Sequence, residues 1–465
     1  MSPPSPLRVA GPFLTVVALA GLIAAPAAPA FAQATGAPSI IRDTEIEAIL
    51  HHEADPIFAA AGLNPKSVQI HIIADNELNA FAAGGEQLFL NTGLIIETKT
   101  PNQLMGVMAH ETGHIAGGHI ARSGAQGRAA LGTFLVGLGL GILAAAAGSP
   151  GAAASLIYSS GYFAEITALG YSRIQEQAAD QAAVTYLEKA GVSGRGLVEF
   201  FNNFRYQEVF DDEKKFPFFR DHPLTDDRIE ALAVRVEHQP HVAVTDTPAA
   251  LAEHAIMRAK LEAFLNGPGQ TLVEYPQTDT SFPARYARAI ALYKETETDK
   301  AIGAIDALIA ERPTDPYLWE LKGQVLFEAG RPKEAEAPHA RSVALAPDAP
   351  LLRINLAQTL IAENDPKRLD EAIGHIRRAL AQEPEDPLGW RLLSEAYDSK
   401  GDAGMARLAA AEQNFHLGQM LEARTFAVHA REFLKKDTPQ WRRATDIILA
   451  SHPTAAQLKA LGVNG

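Results

Sequence analysis

Thr100-Pro101-Asn102-Gln103-Leu104-Met105-Gly106-Val107-Met108-Ala109-His110-Glu111-Thr112-Gly113-His114 opens with three marks of a helix start. Thr100 can cap, Pro101 suits the first helical position, and Gln103 completes a capping box. Leu104, Val107, Met108 and Ile115 recur at helical spacing, which predicts an amphipathic helix carrying His110, Glu111 and His114. His110 and His114 are four residues apart, so they point the same way, one turn above the other. At that spacing two imidazoles can hold one Zn²⁺, with Glu111 beside them to polarise water. In a chain with 15 histidines the same five-residue pattern can arise by chance, but chance matches rarely fall on a capped helix with an apolar opposite face.

A catalytic zinc needs a third protein ligand and an open position. Downstream, Glu176-Gln177-Ala178-Ala179-Asp180 places Glu176 and Asp180 one turn apart on one face of a predicted helix from Glu165 to Ala190. Glu176 is the better candidate. Either acid could instead be a solvated surface group, although the surrounding alanines argue against it. His119 is the other tempting residue, five positions after His114. On a continuing helix it turns about 500° and points well away, so it reads as structural. His51, His52, His238, His241 and His254 lack partners at ligand spacing.

Before the His-bearing helix, Asp43 to Ala61 reads as a helix kinked or restarted at Pro56 and closed by Gly62 and Pro65. Val68 to Ile73 alternates like a strand. Asn79-Ala80-Phe81-Ala82 and Gln87-Leu88-Phe89-Leu90 flank Gly84-Gly85 and predict a hairpin, giving a small antiparallel sheet with His71 as a structural residue. An edge strand there could hold an extended peptide through backbone hydrogen bonds. From Ala129 to Ala164 no residue is charged. That run suits either a membrane-touching hairpin or two Gly/Ala-rich helices; its shortness favours burial or peripheral membrane contact over spanning.

Composition bounds the rest. With 465 residues the chain exceeds what one core usually serves. Its net charge of −14 argues against nucleic-acid binding. Cys is absent, which excludes disulfides and thiol nucleophiles. Arg8, the apolar run Val9 to Ala25 and the small-x-small site Ala30-Phe31-Ala32 predict a cleavable export leader over 1–32, with an uncleaved anchor as the alternative.

The C-terminal part repeats. Ala301, Ala335, Ala372 and Ala406 recur at helical-hairpin spacing, as do Pro313, Pro347 and Pro384. The longer middle step fits a loop around Asn364-Asp365-Pro366, and Trp319, Gly323, Trp390 and Tyr397 fall where tetratricopeptide (TPR) repeats place them. Such helix pairs stack into a solenoid with a concave binding face. The sequence thus predicts an α+β metallopeptidase-like domain at 33–237, mostly helical with a small antiparallel sheet. A linker and connecting helix follow at 238–280, then an all-α TPR solenoid at 281–465.

His110-Glu111-x-x-His114 with Glu176-x-x-Ala179-Asp180 resembles the gluzincin metallopeptidases related to the HtpX, Oma-type and Ste-type proteases. The leader and the repeats narrow the resemblance to the BepA-like periplasmic branch, across nearly the whole mature chain. The resemblance implies one Zn²⁺ per chain held by His110, His114 and Glu176, with Glu111 as general base. Asp180 would orient a ligating histidine or act as proton donor, and Asn79 to Ala82 would pair with substrate. His222-Pro223, with Arg228 following, resembles the family's His-Pro motif; His222 would then take the fourth zinc position and hold the enzyme latent, or else be a structural loop histidine. Arg220 and Asp221 depart from the small hydroxyl residue usual before that motif. The implied role is cleavage and chaperone-like handling of misfolded outer-membrane proteins, with the TPR face recruiting substrates or assembly machinery. Two other readings stand beside it: a TPR adaptor with a blocked or structural zinc site, and a membrane-embedded protease built on 129–164.

Overall fold

The structure, a computed structural model, describes residues 40–83, 85–119, 173–204, 218, 222 and 225–451. The predicted export leader, the uncharged run 129–164, and Arg220, Asp221 and Pro223 lie outside them. Among the described residues no helix is long and apolar enough to cross a membrane.

The N-terminal part runs β1 (Ile40–Ile41), α1 (Thr44–Ala60), β2 (Gln69–Ile73), β3 (Ala80–Ala83), β4 (Gln87–Asn91), α2 (Thr92–Glu97), α3 (Pro101–Ala116), α4 (Arg173–Lys189), α5 (Arg195–Phe204) and α6 (Asp226–Glu237). The spine is α3. Thr100 caps it by accepting from the Gln103 N–H, and Pro101 occupies its first turn. In return the Lys99 N–H donates to the Gln103 side-chain oxygen, one residue earlier than in a standard capping box. α1, α4, α5 and β3 all pack on α3, burying it almost throughout. One close approach sets the geometry: a Cβ on Gly113 would come within 2.9 Å of the Ala179 Cα on α4. A side chain there would hold the two helices apart. α1 is a single helix that runs through Pro56 without restarting.

The sheet order is β1-β2-β4-β3. β3 and β4 form the expected antiparallel hairpin, and β1 pairs antiparallel with β2. The sheet is nevertheless mixed, because β2 and β4 run parallel. Residues 74–79 carry the chain across the end of β4, so the hairpin lays β4, not β3, beside β2. Leu88, Leu90, Ile72 and Ala80 enter the helical core. On the opposite face the Phe89 ring stacks between His71 and Phe81, at centroid distances of 4.6 and 4.8 Å. β3 is left as the edge strand next to α3.

Behind this unit come α7 (Pro248–Leu265), α8 (Pro268–Glu274), α9 (Phe282–Lys294), α10 (Thr298–Glu311), α11 (Pro316–Glu328), α12 (Pro332–Leu345), α13 (Pro350–Ala362), α14 (Leu369–Leu380), α15 (Pro387–Ser399), α16 (Ala403–His416), α17 (Met420–Phe433) and α18 (Pro439–Ala450). Ala301, Ala335, Ala372 and Ala406 are each the fourth residue of α10, α12, α14 and α16, and all are buried. The extra residues of the middle repeat fall in the loop between α13 and α14, where Asn364 takes a positive φ of 54°. α7 is more than a connector. Met257 and Leu261 belong to the N-terminal core, while Ile256, Ala259, Ala263 and Phe264 belong to the first helical-hairpin core.

Candidate metal centre

Three segments converge on one buried point. α3 supplies His110, Glu111 and His114, and α4 supplies Glu176 and Asp180 on the face turned to α3. His222 arrives on a bend tied back to the sheet: its N–H donates to the Phe218 carbonyl at 2.7 Å, and the Phe218 N–H donates to the Leu78 carbonyl at 3.3 Å. The His222 ring stacks on Phe218 at a centroid distance of 4.6 Å. All these site residues are at most 3% exposed.

His110, His114, Glu176 and His222 each turn one donor atom inward. His110 Nε2 lies 3.2 Å from His114 Nε2 and 3.2 Å from His222 Nδ1. Glu176 oxygens lie 3.4 Å from His110 Nε2, 3.4 Å from His114 Nε2 and 3.1 Å from His222 Nδ1. A tetrahedral zinc site with metal–ligand bonds of about 2.0–2.1 Å has edges of roughly 3.3–3.4 Å. The contacts of 3.1–3.4 Å are close to such edges and the four donor atoms all lie within 4.8 Å of one another, so the cluster suits a small cation in chemistry and in approximate spacing.

Charged groups support the donors from outside. Asp180 Oδ1 stands 3.0 Å from His110 Nδ1, the nitrogen turned away from the cluster. Arg228 closes the arrangement through two 2.9 Å bonds to the Asp180 carboxylate and a 3.0 Å pair with Glu176, with its guanidinium over the Phe201 ring. Burial opposes charge on His110, but Asp180 and Glu176 outweigh it and raise its pKa to about 10. Burial lowers His114 to about 3, and the neighbouring His110 and His222 rings add to that effect. Burial also opposes ionisation of Glu176, yet His222, His110 and His114 hold its carboxylate far below the usual range. Ligation of a cation requires both histidines to be neutral, so binding would expel the His110 proton.

Glu111 points into the same space without joining the cluster. Its Oε1 lies 3.5 Å from His222 Nε2, and burial raises its pKa, opposed by His222 and His110. The edge strand β3 packs against this helix, and the Ala82 backbone faces Glu111.

The structure thus brings together His110, Glu111, His114, Glu176, Asp180 and His222. Asp180 faces a histidine and an arginine, an arrangement suited to orienting His110. Arg228 has a larger place than its position after the His-Pro pair suggested: among the described residues it is the one Arg or Lys bridging Glu176 and Asp180. The sequence signal available was an arginine following His222-Pro223, three residues past Thr225, which the structure shows capping α6. His119 overturns the expectation that it points away, since its Nδ1 lies 3.1 Å from His114 Nδ1.

Peptidase family M48 matches the chain over residues 41–236, and two tetratricopeptide-repeat families match residues 286–350 and 326–396. The chain is similar to the putative beta-barrel assembly-enhancing protease of Vibrio cholerae, 26% identical over 380 residues covering 78% of this chain and 75% of that one. It is 24% identical to the beta-barrel assembly-enhancing protease of Yersinia pestis, over 76% of this chain and 72% of the other. Metalloprotease LoiP of Escherichia coli is 30% identical over 176 residues, 37% of this chain and 65% of that protein.

Proposed function

Because the chain is an M48 metallopeptidase domain joined to tetratricopeptide repeats, we propose that it is a zinc endopeptidase held latent by His222. The observation carrying this reading is the four-cornered donor set, whose fourth corner is His222 rather than an open position. When bound, zinc supplies a Lewis acid that polarises a peptide carbonyl and acidifies water. The chain does the rest. His110, His114 and Glu176 hold the ion, and Asp180 keeps the His110 Nδ1 proton so that Nε2 is free to ligate. An extended peptide adds to the edge strand β3 by backbone hydrogen bonds. Glu111 takes a proton from the water whose oxygen adds to the carbonyl carbon, then passes it to the amine as the C–N bond breaks. His222 must swing aside first, since its ring covers both the fourth corner and Glu111.

The names of the relatives and the predicted leader support a periplasmic role in assembling outer-membrane proteins, with misfolded or stalled chains as substrates. The repeats would recruit those chains or the assembly machinery and give a chaperone-like activity. Complete burial of His222 also favours a second reading, a TPR adaptor whose site stays closed.

Casein degradation by the chain from Gln33, with zinc quantified per molecule, separates the two. One zinc per chain, weak wild-type activity, more in His222→Ala and none in Glu111→Gln is the outcome expected of a latent protease. Zinc-loaded protein inert in all three forms supports the adaptor.

A further inference from the structure

α3 stops short of His119. Gly117 caps the helix by donating to the Gly113 carbonyl at 2.9 Å, and Gly118 then takes a left-handed φ of 62°, which reverses the chain. The reversal returns the His119 ring to the helix it has just left. The His119 and His114 rings meet edge to face at 5.0 Å between centroids, and their Nδ1 atoms are 3.1 Å apart. His119 is 5% exposed, and a Cβ on Gly117 would stand 2.6 Å from its Nε2. Gly118 thus turns the chain and Gly117 clears the space that the ring fills.

A contact between two Nδ1 atoms at this distance needs one proton. If His119 donated it, His114 would carry its own proton on Nε2, aimed into the donor cluster where a cation must sit. Only the opposite sense leaves His114 Nε2 with a free lone pair. From this geometry we propose that His119 is the positioning residue of His114: it accepts the His114 Nδ1–H and so fixes the tautomer and ring plane that present Nε2 to the metal. The inference rests on the ligand assignment made above.

His119 does for His114 what Asp180 does for His110, with a neutral acceptor in place of a carboxylate. The substitution has a physical reason. Glu111, Glu176 and Asp180 already share the buried site, and Arg228 bridges only the last two. A fourth buried carboxylate would add desolvation cost without a partner. An imidazole orients the ligand and adds no charge.

The test uses the full mature chain, zinc affinity by chelator competition, and the visible spectrum of the cobalt-substituted protein. Outer partners of ligating histidines are typically worth about 10–100-fold in affinity. His119→Leu is expected to weaken zinc binding by that factor and shift the cobalt bands. His119→Gln, whose amide oxygen can accept the same proton, is expected to recover most of the loss. Wild-type zinc-loaded protein offers a readout independent of whether the variants fold: in imidazole ¹⁵N spectra His119 should be protonated on Nε2 and His114 on Nδ1. A His119 found protonated on Nδ1 overturns the proposal, as does an unchanged affinity and cobalt spectrum in His119→Leu. His114→Ala is the control: if it binds zinc normally the ligand assignment has failed, whereas if it alone loses zinc only the role of His119 has failed.

Discussion

Gly113 and Ala179 meet so closely that a Cβ on the glycine would stand 2.9 Å from both the Cα and the carbonyl oxygen of the alanine. His114 follows Gly113 on α3, and Asp180 follows Ala179 on α4, so this contact fixes how near the two donor-bearing helices come. Gly113→Ala gains about 1 kcal/mol in helix propensity but overpacks the contact at a cost of about 1–3 kcal/mol. Stability should therefore change little or fall modestly. Zinc affinity should fall roughly tenfold or more, because Glu176 is displaced from the histidines. Calorimetry and chelator competition on the same preparation check this; a variant binding zinc like the wild type would show that the approach is set elsewhere.

Arg228 neutralises two acids that a cation at the centre would also neutralise. Its guanidinium holds Asp180 with paired 2.9 Å bonds and reaches Glu176 at 3.0 Å. Removing one partner of a buried ionic set costs about 3–5 kcal/mol. Arg228→Met should lose about that much in the metal-free protein and visibly less with zinc bound, since the ion offsets part of the exposed negative charge. Equal losses in the two states would mean that Arg228 acts on packing alone. Arg228→Lys should fall between, keeping the charge and losing the fork.

The repeats contain a contact that sequence letters disguise. Trp319 donates to the Pro313 carbonyl, Trp390 to that of Pro384, and Arg353 to that of Pro347, each six residues back. The shared feature is an N–H donor closing the loop before the helix. Trp390→Phe should cost about 0.5–1.5 kcal/mol, the worth of one hydrogen bond. Arg353→Trp should be nearly neutral in urea unfolding. A large loss in Arg353→Trp would mean that the guanidinium serves something other than this loop.

What could be read from sequence was local. The cap, the i,i+4 histidines and the paired acids of α4 depend on positions within one helix, and each lies where spacing puts it. The parallel pairing of β2 with β4 depends on where residues 74–79 cross, which no alternation pattern encodes. His119 was misread because the helix was extended past Gly117-Gly118, although that pair is itself a stop signal. Arg353 stands where the neighbouring repeats carry Trp319 and Trp390, so letter identity does not reveal the donor they share. α7 was legible as a connecting helix, but not that its buried residues serve two different cores.

The junction between those cores holds a buried charge cluster with its own pH dependence. Lys260 Nζ lies 2.8 Å from Asp43 and 3.0 Å from Glu45 at the start of α1, and the Tyr286 hydroxyl donates to Glu45 at 2.8 Å. Glu320 of α11 sits beside them, accepting from Asn355 at 3.0 Å and from Thr44 at 3.4 Å. One lysine faces three acids. Burial pushes Glu320 up to about 8; Lys260 opposes the rise, and Asp43 and Glu45 add to it. Between its ordinary value of 4.5 and about 8, the folded chain keeps a proton that the unfolded chain has released. Stability from this group is therefore complete below that window and declines as pH rises through it. Glu320→Gln preserves an acceptor for Asn355 and Thr44 and cannot ionise, so its stability should fall less than that of the wild type as pH rises from 4.5 to about 8, the two running parallel above that. Chemical denaturation at several pH values measures both slopes. Parallel slopes within that window would mean that Glu320 is already ionised in the fold, and that Lys260 carries all three acids.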